Sequence, residues 1–69
     1  MTSPVRVEQT DGVCTITLAR PEKANALSAE MVRGVLEAVE AAPANGARIV
    51  IIRADGKHFS AGFDFGDFE

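Results

Sequence analysis

The chain has 69 residues, 46% of them hydrophobic and 25% charged, with a formal net charge of −3. That is too apolar for a disordered chain, too weakly and too evenly charged for a nucleic-acid surface, and short enough for at most one small domain of marginal stability by itself. The single cysteine excludes an internal disulfide, the single histidine offers no metal-ligand cluster, and the longest apolar run, Ile49-Val50-Ile51-Ile52, is far too short to span a bilayer. Met1 to Arg6 lacks the apolar core of a signal peptide, so a cytoplasmic protein is expected.

Val5-Arg6-Val7-Glu8-Gln9-Thr10 alternates apolar and polar residues, as a half-buried strand does. Asp11-Gly12 favours a two-residue hairpin turn, whose central positions both need positive φ. In the segment Val13 to Ala19, Cys14, Ile16 and Leu18 share the face expected to be buried, and Val13, Thr15 and Thr17 the other. Pro21 ends this second strand, because it cannot donate to a ladder, and residues 20–26 form a loop. Ser28 is a helix N-cap, Glu30 lies in the first turn, and Leu27 and Val32 have the spacing of a hydrophobic staple. The helix runs from Ala29 to about Ala42, with Val32, Val35, Leu36 and Val39 as its core-facing stripe. Pro43, Asn45 and Gly46 stop it. Arg48 to Arg53 is a β-branched run that reads as a strand covered on both faces. A strand, a crossover helix and a second strand form a parallel βαβ unit. Ala54 to Lys57 is a turn, and the tail enters a short helix near Asp64.

In a βαβ unit the loop after the carboxyl end of a strand usually faces the ligand. Here that loop follows Ile52 and contains Gly62, which permits positive φ or a close approach. Unpaired amides at a helix start beyond it, around Phe63 and Asp64, would suit an anion or an oxyanion. A simple glycine turn between strand and helix explains the same residues.

Two stretches resemble the signatures of the crotonase (enoyl-CoA hydratase/isomerase) superfamily. Leu18-Ala19-Arg20-Pro21-Glu22-Lys23-Ala24-Asn25-Ala26-Leu27-Ser28 is similar to its strand-end Arg-Pro, then Lys, then Asn-Ala-Leu before a helix. Asp55-Gly56-Lys57-His58-Phe59-Ser60-Ala61-Gly62-Phe63-Asp64 is similar to its Gly-x-x-Phe-Ser/Cys-Ala-Gly-x-Asp. The resemblance implies an α/β fold, the ββαβ start of a crotonase-like domain (N-terminal hairpin, crossover helix, parallel strand). Residues 1–69 would be the N-terminal part of one such domain, incomplete without the rest. It also implies an enoyl-CoA hydratase or isomerase that stabilises a thioester enolate with two backbone amides, the first of them on Phe63. Lys23, Ala24, Ala26, Ala61, Gly62 and Asp64 match coenzyme A-binding positions. No separate cofactor or metal is implied, since coenzyme A belongs to the substrate. The expected partners are an acyl-CoA, the remainder of the domain or a complementary chain, and further copies in a trimer or hexamer, with no nucleic acid and no membrane.

The chain departs from the pattern at Phe63, where many relatives carry a small residue, and at Phe65, often Leu or Ile. The second oxyanion donor and the acid-base carboxylates are expected beyond Glu69. Other readings stay open: a non-catalytic coenzyme A-binding or assembly fragment, or a thioesterase-, decarboxylase- or dehalogenase-like member using the same oxyanion hole. Asp64, Asp67 and Glu69 read as favourable charge at a helix start rather than as a metal site. His58 reads as an exposed turn residue rather than a base, Cys14 as a buried thiol and Phe59 as core. Lys23 is either a solvated loop charge or a phosphate contact. Phe63, Phe65 and Phe68 would form an exposed apolar patch that calls for partner structure.

Overall fold

The computed structural model describes residues 3–64. Strands β1 (Val5–Thr10) and β2 (Val13–Leu18) form the antiparallel hairpin, paired in register from Val5↔Leu18 to Thr10↔Val13. Asp11 (φ 52°) and Gly12 (φ 81°) both take the left-handed conformation that a primed two-residue turn demands. Helix α1 (Ala29–Ala41) follows, and strand β3 (Ile49–Ala54) then pairs parallel to β2, from Val13↔Ile49 to Leu18↔Ala54. The sheet order is β1-β2-β3, the ββαβ arrangement expected from the pattern.

Ser28 caps the helix, its Oγ accepting from the Met31 N–H at 3.2 Å. At the other end Ala42 still donates to the Ala38 carbonyl, and the chain turns at Gly46 with φ 90° before the Arg48 amide bonds the Gly12 carbonyl. The core comprises Val5, Cys14, Ile16, Leu18, Met31 and Ala42, with Leu27, Val35, Ala38, Ala47 and Ala54 packed around it. Gly34 lets the helix lie close to β1, since a Cβ there would sit 3.3 Å from Val5 Cγ2.

Four expectations about burial are corrected. The helix does not bury the stripe Val32-Val35-Leu36-Val39. Met31 and Ala42 are fully buried, Val35 and Ala38 partly, whereas Val32, Leu36 and Val39 are exposed. The helix packs mainly on β1 and β2, with Met31 in the core they share, and the larger apolar residues Val32, Leu36 and Val39 line an open hollow instead. Strand β3 is not covered on both faces: Ile49, Val50, Ile51 and Ile52 are all exposed, because β3 is the sheet's edge among the described residues and the helix does not lie over it. Phe59 is 58% exposed rather than core. Thr17, expected on the open face of the hairpin, is buried; its register partners Arg6 and Arg53 flank it on the same face.

Together the exposed residues leave an open apolar hollow of about 380 Å³ between α1 and the end of the sheet, lined by Leu18, Leu27, Val32, Val35, Leu36, Val39, Ile52 and Phe59. Leu27 and Val32, the staple pair, both face it. The helix expected near Asp64, and with it Phe65, Asp67, Phe68 and Glu69, lies outside the described residues.

Candidate functional site

Parallel pairing of β2 and β3 brings both carboxyl ends, and the loops that leave them, to one end of the sheet. The first loop, residues 19–28, begins with a single 3-10 turn at Pro21–Lys23 and continues through Ala24 (φ 51°) and Asn25 (φ 54°). Two successive left-handed residues reverse the chain in a small space, a conformation that Asn tolerates better than most side chains. The second loop, residues 55–64, carries Gly56 (φ 85°) and Gly62 (φ 93°). A Cβ on Gly56 would meet Pro21 Cβ at 2.9 Å, so glycine here allows the loops to touch, whereas Gly62 has open space and serves its backbone conformation.

Asn25 joins the two loops. It is completely buried, and its amide is fully used: Oδ1 accepts from the Arg20 N–H at 2.8 Å, and Nδ2 donates to the carbonyls of Asp55 and His58, both at 2.8 Å. Its own carbonyl accepts from the Ser60 hydroxyl at 2.9 Å, and Ser60 Oγ in turn accepts from the Gly62 N–H at 3.1 Å. Backbone bonds complete the join: Ala61 donates to Ala24 (3.0 Å), Leu27 donates to Gly62 (2.7 Å), and Asp64 donates to Leu27 (2.9 Å). The last two bonds make a parallel bridge between Leu27 and Phe63. In such a bridge the flanking residues bond the partner, and the residue in register turns its own N–H and C=O to the opposite side.

Charge reinforces the contact. Arg20 donates through Nη1 to the Ala26 carbonyl at 3.0 Å and lies 3.2 Å through Nη2 from the Asp64 carboxylate. On the other side of the second loop, Arg6 grips Asp55 with two bonds, of 2.7 and 3.2 Å. That hydrogen bond, aided by the guanidinium charge against partial desolvation, holds the Asp55 carboxyl below its ordinary range.

The structure thus brings Ala24, Ala26, Ala61, Gly62, Phe63 and Asp64 together in one braced pair of loops. Lys23 is exposed at the end of the 3-10 turn. Phe63 exposes its ring (59%), and Asp64 directs its carboxylate to Arg20. His58 is an exposed turn residue whose carbonyl, rather than its ring, takes part in the join. Sequence reasoning missed Asn25, Arg20 and Ser60 as the residues that hold the site together. All three lie within the two motifs, and the available signal was an Asn in a short loop, a residue suited to left-handed backbone. Among the described residues no cluster of three or more His, Cys, Asp or Glu is placed to hold a metal ion, and no helix is long and apolar enough to cross a membrane.

A parallel βαβ unit whose two carboxyl-end loops are bonded into one surface defines an α/β protein with its candidate site at the strand ends. More narrowly, this chain belongs to the enoyl-CoA hydratase/isomerase family, within the crotonase superfamily, whose sequence profile matches residues 8–69. It is 44% identical over 63 residues to 4-chlorobenzoyl coenzyme A dehalogenase-2 of Arthrobacter sp., covering 87% of this chain and 22% of that protein. It is 35% identical over 60 residues to the probable enoyl-CoA hydratase echA6 of Mycobacterium bovis, covering 87% of this chain and 25% of the relative. Among solved structures, the putative enoyl-CoA hydratase/isomerase of Bordetella parapertussis superposes with a TM-score of 0.89 at 42% identity, covering 97% of this chain and 28% of that one. The enoyl-CoA hydratase of Mycobacterium tuberculosis H37Rv gives a TM-score of 0.90 at 34% identity, with coverages of 97% and 27%. The chain therefore spans about a quarter of the length of the proteins it matches.

Proposed function

We propose that these residues form the N-terminal part of a single acyl-CoA-processing domain, in which the Phe63 N–H is one of two oxyanion donors to a thioester. The observation that carries this reading is the Leu27–Phe63 bridge, which ties down the backbone on both sides of Phe63 and turns its amide away from the first loop. A donor fixed before the reaction needs no reorganisation as negative charge develops. Lys23, Ala24, Ala26, Ala61, Gly62 and Asp64 line the coenzyme A end of the site: Lys23 is free to approach phosphate as a point charge, and the others act through backbone groups and loop shape. Coenzyme A enters as part of the substrate, not as a resident cofactor.

Hydration or isomerisation of an enoyl thioester is the leading reaction, supported by the family profile and by relatives named as hydratases and isomerases. A second reading, dehalogenation of an aryl thioester, is favoured by the 44% and 43% identities to two 4-chlorobenzoyl coenzyme A dehalogenases. Both chemistries develop charge on the thioester oxygen and both use the Phe63 donor. The remaining donor and the acid-base groups then come from the other three quarters of the domain, which also covers the apolar hollow. A cytoplasmic homo-oligomer, trimer or hexamer, completes the reading by family resemblance.

The test is a complete enzyme carrying Phe63→Pro, which removes the donor, beside Phe63→Ala, which keeps it. Turnover of acyl-CoA is expected to fall by about 10²–10³ in Phe63→Pro, with Phe63→Ala far closer to wild type. Equal turnover in Phe63→Pro and wild type would overturn the donor assignment. Chloride release from 4-chlorobenzoyl-CoA, measured against hydration of a 2-enoyl-CoA, separates the two reactions.

A further inference from the structure

We propose that Asn25 is a positioning residue for the Phe63 donor, a role that rests on the oxyanion reading above. It starts from a property of the peptide group. The described chain contains no cis peptide bonds, and in a trans peptide the C=O and the following N–H point in opposite directions within one plane. The Gly62 carbonyl and the Phe63 N–H share such a plane. The 2.7 Å bond from the Leu27 N–H to the Gly62 carbonyl therefore also sets the direction of the Phe63 N–H. Accepting that bond polarises the peptide and strengthens its N–H as a donor.

The plane on the other side of Gly62 is held independently. The Gly62 N–H donates to Ser60 Oγ at 3.1 Å, and the Ser60 hydroxyl donates to the Asn25 carbonyl at 2.9 Å. With both flanking planes tied to the first loop, Gly62 keeps its φ of 93° and Phe63 cannot swing about it. Both ties depend on where the first loop lies relative to the second. Asn25 sets that relation, because its buried amide spans Arg20 in one loop and Asp55 and His58 in the other. The task needs one acceptor and two donors on a short planar group, which Asn provides and which Asp, Ser or Thr does not. Asn25 touches no reacting atom on this reading; it sets the angle of the one that Phe63 presents.

The experiment uses the complete enzyme with three variants beside Phe63→Pro. Asn25→Gly keeps the left-handed backbone and removes the amide. Ser60→Ala removes only the hydroxyl between Asn25 and Gly62. Asn25→Asp keeps the shape but sets a carboxylate against two carbonyls. Folded fraction is fixed by the stoichiometry of coenzyme A binding. Per folded site, kcat is expected to fall about 10- to 100-fold in Asn25→Gly and about 3- to 10-fold in Ser60→Ala, with KM within about threefold, the pattern of a misplaced donor. In Asn25→Asp, kcat relative to wild type is expected to rise as pH falls, because protonating the introduced carboxyl restores one donor. Should Asn25→Gly fail to fold, Ser60→Ala decides. Unchanged kcat per folded site, or a rise in KM alone, overturns the proposal. If Phe63→Pro loses turnover while the Asn25 and Ser60 variants do not, the positioning role fails and the oxyanion reading stands. If Phe63→Pro keeps turnover, both fail.

Discussion

The two loops at the strand ends and the hollow beside the helix lie at the same end of the sheet, yet they are built on opposite terms. The loops are polar and closed: Asn25 is buried with every hydrogen-bonding atom of its amide engaged, and among the described residues no buried side-chain nitrogen or oxygen lacks a partner. The hollow is apolar and open, with Leu36 56% exposed and Phe59 58% exposed. Hydrogen bonds between loops close in space are satisfied locally. A hydrophobic face is satisfied only by more surface, and this chain spans about a quarter of the length of the proteins it matches. Among the described residues, then, the polar contacts of the two loops are satisfied while the apolar hollow stays open.

Several substitutions in the complete protein sharpen or break that contrast. Met31→Ala empties a fully buried position under the hairpin and should cost about 2–5 kcal/mol by denaturant unfolding. Leu36→Ala is the discriminating partner. If the hollow is covered by the rest of the domain, it too should cost at least about 2 kcal/mol. A value within about 0.5 kcal/mol of zero would mean that Leu36 faces solvent, and the contrast would lose its explanation. At the closed region, Gly56→Ala forces a Cβ against Pro21 and strains a positive-φ residue, for an expected loss of about 1–3 kcal/mol. Ser28→Ala, which removes the helix cap between the two regions, should cost about 1 kcal/mol.

The smallest effect belongs to the exposed Arg6–Asp55 pair. Because the folded carboxyl titrates below its usual range, its contribution is present above the unfolded carboxylate pKa and is lost as pH falls through the folded value. The Tm difference between wild type and Asp55→Asn should be small near neutral pH, shrink further with added salt, and vanish in acid. A difference that grows on acidification would contradict the assignment.

The hairpin, the helix with its Ser28 cap and the parallel third strand were legible because alternation, helical spacing and turn chemistry all report the local backbone. The choice between Met31 and the Val32-Leu36-Val39 side was not, because the helix carries apolar residues on both flanks and periodicity does not say which flank meets the hairpin. Gly34, which admits Val5, was the available hint. The site was legible as two motifs in the right order. That Asn25 bonds them together was not, since a loop position says nothing of burial until β2 and β3 pair and bring residues 25 and 58 together. The openness of β3 escaped for a related reason: an apolar run signals a need for cover, not its presence.

The bonds between the two loops run in step, Ala24 with Ala61 and Leu27 with Gly62 and Asp64, in the same chain direction. A residue inserted between Asn25 and Leu27, or between Ser60 and Phe63, would shift one row of partners past the other and reverse the peptide facing outward at Phe63. The count of residues in the two loops is therefore as much a part of this surface as the identity of Asn25, whereas the exposed ring at position 63 takes no part in the bonds that hold the loops in step.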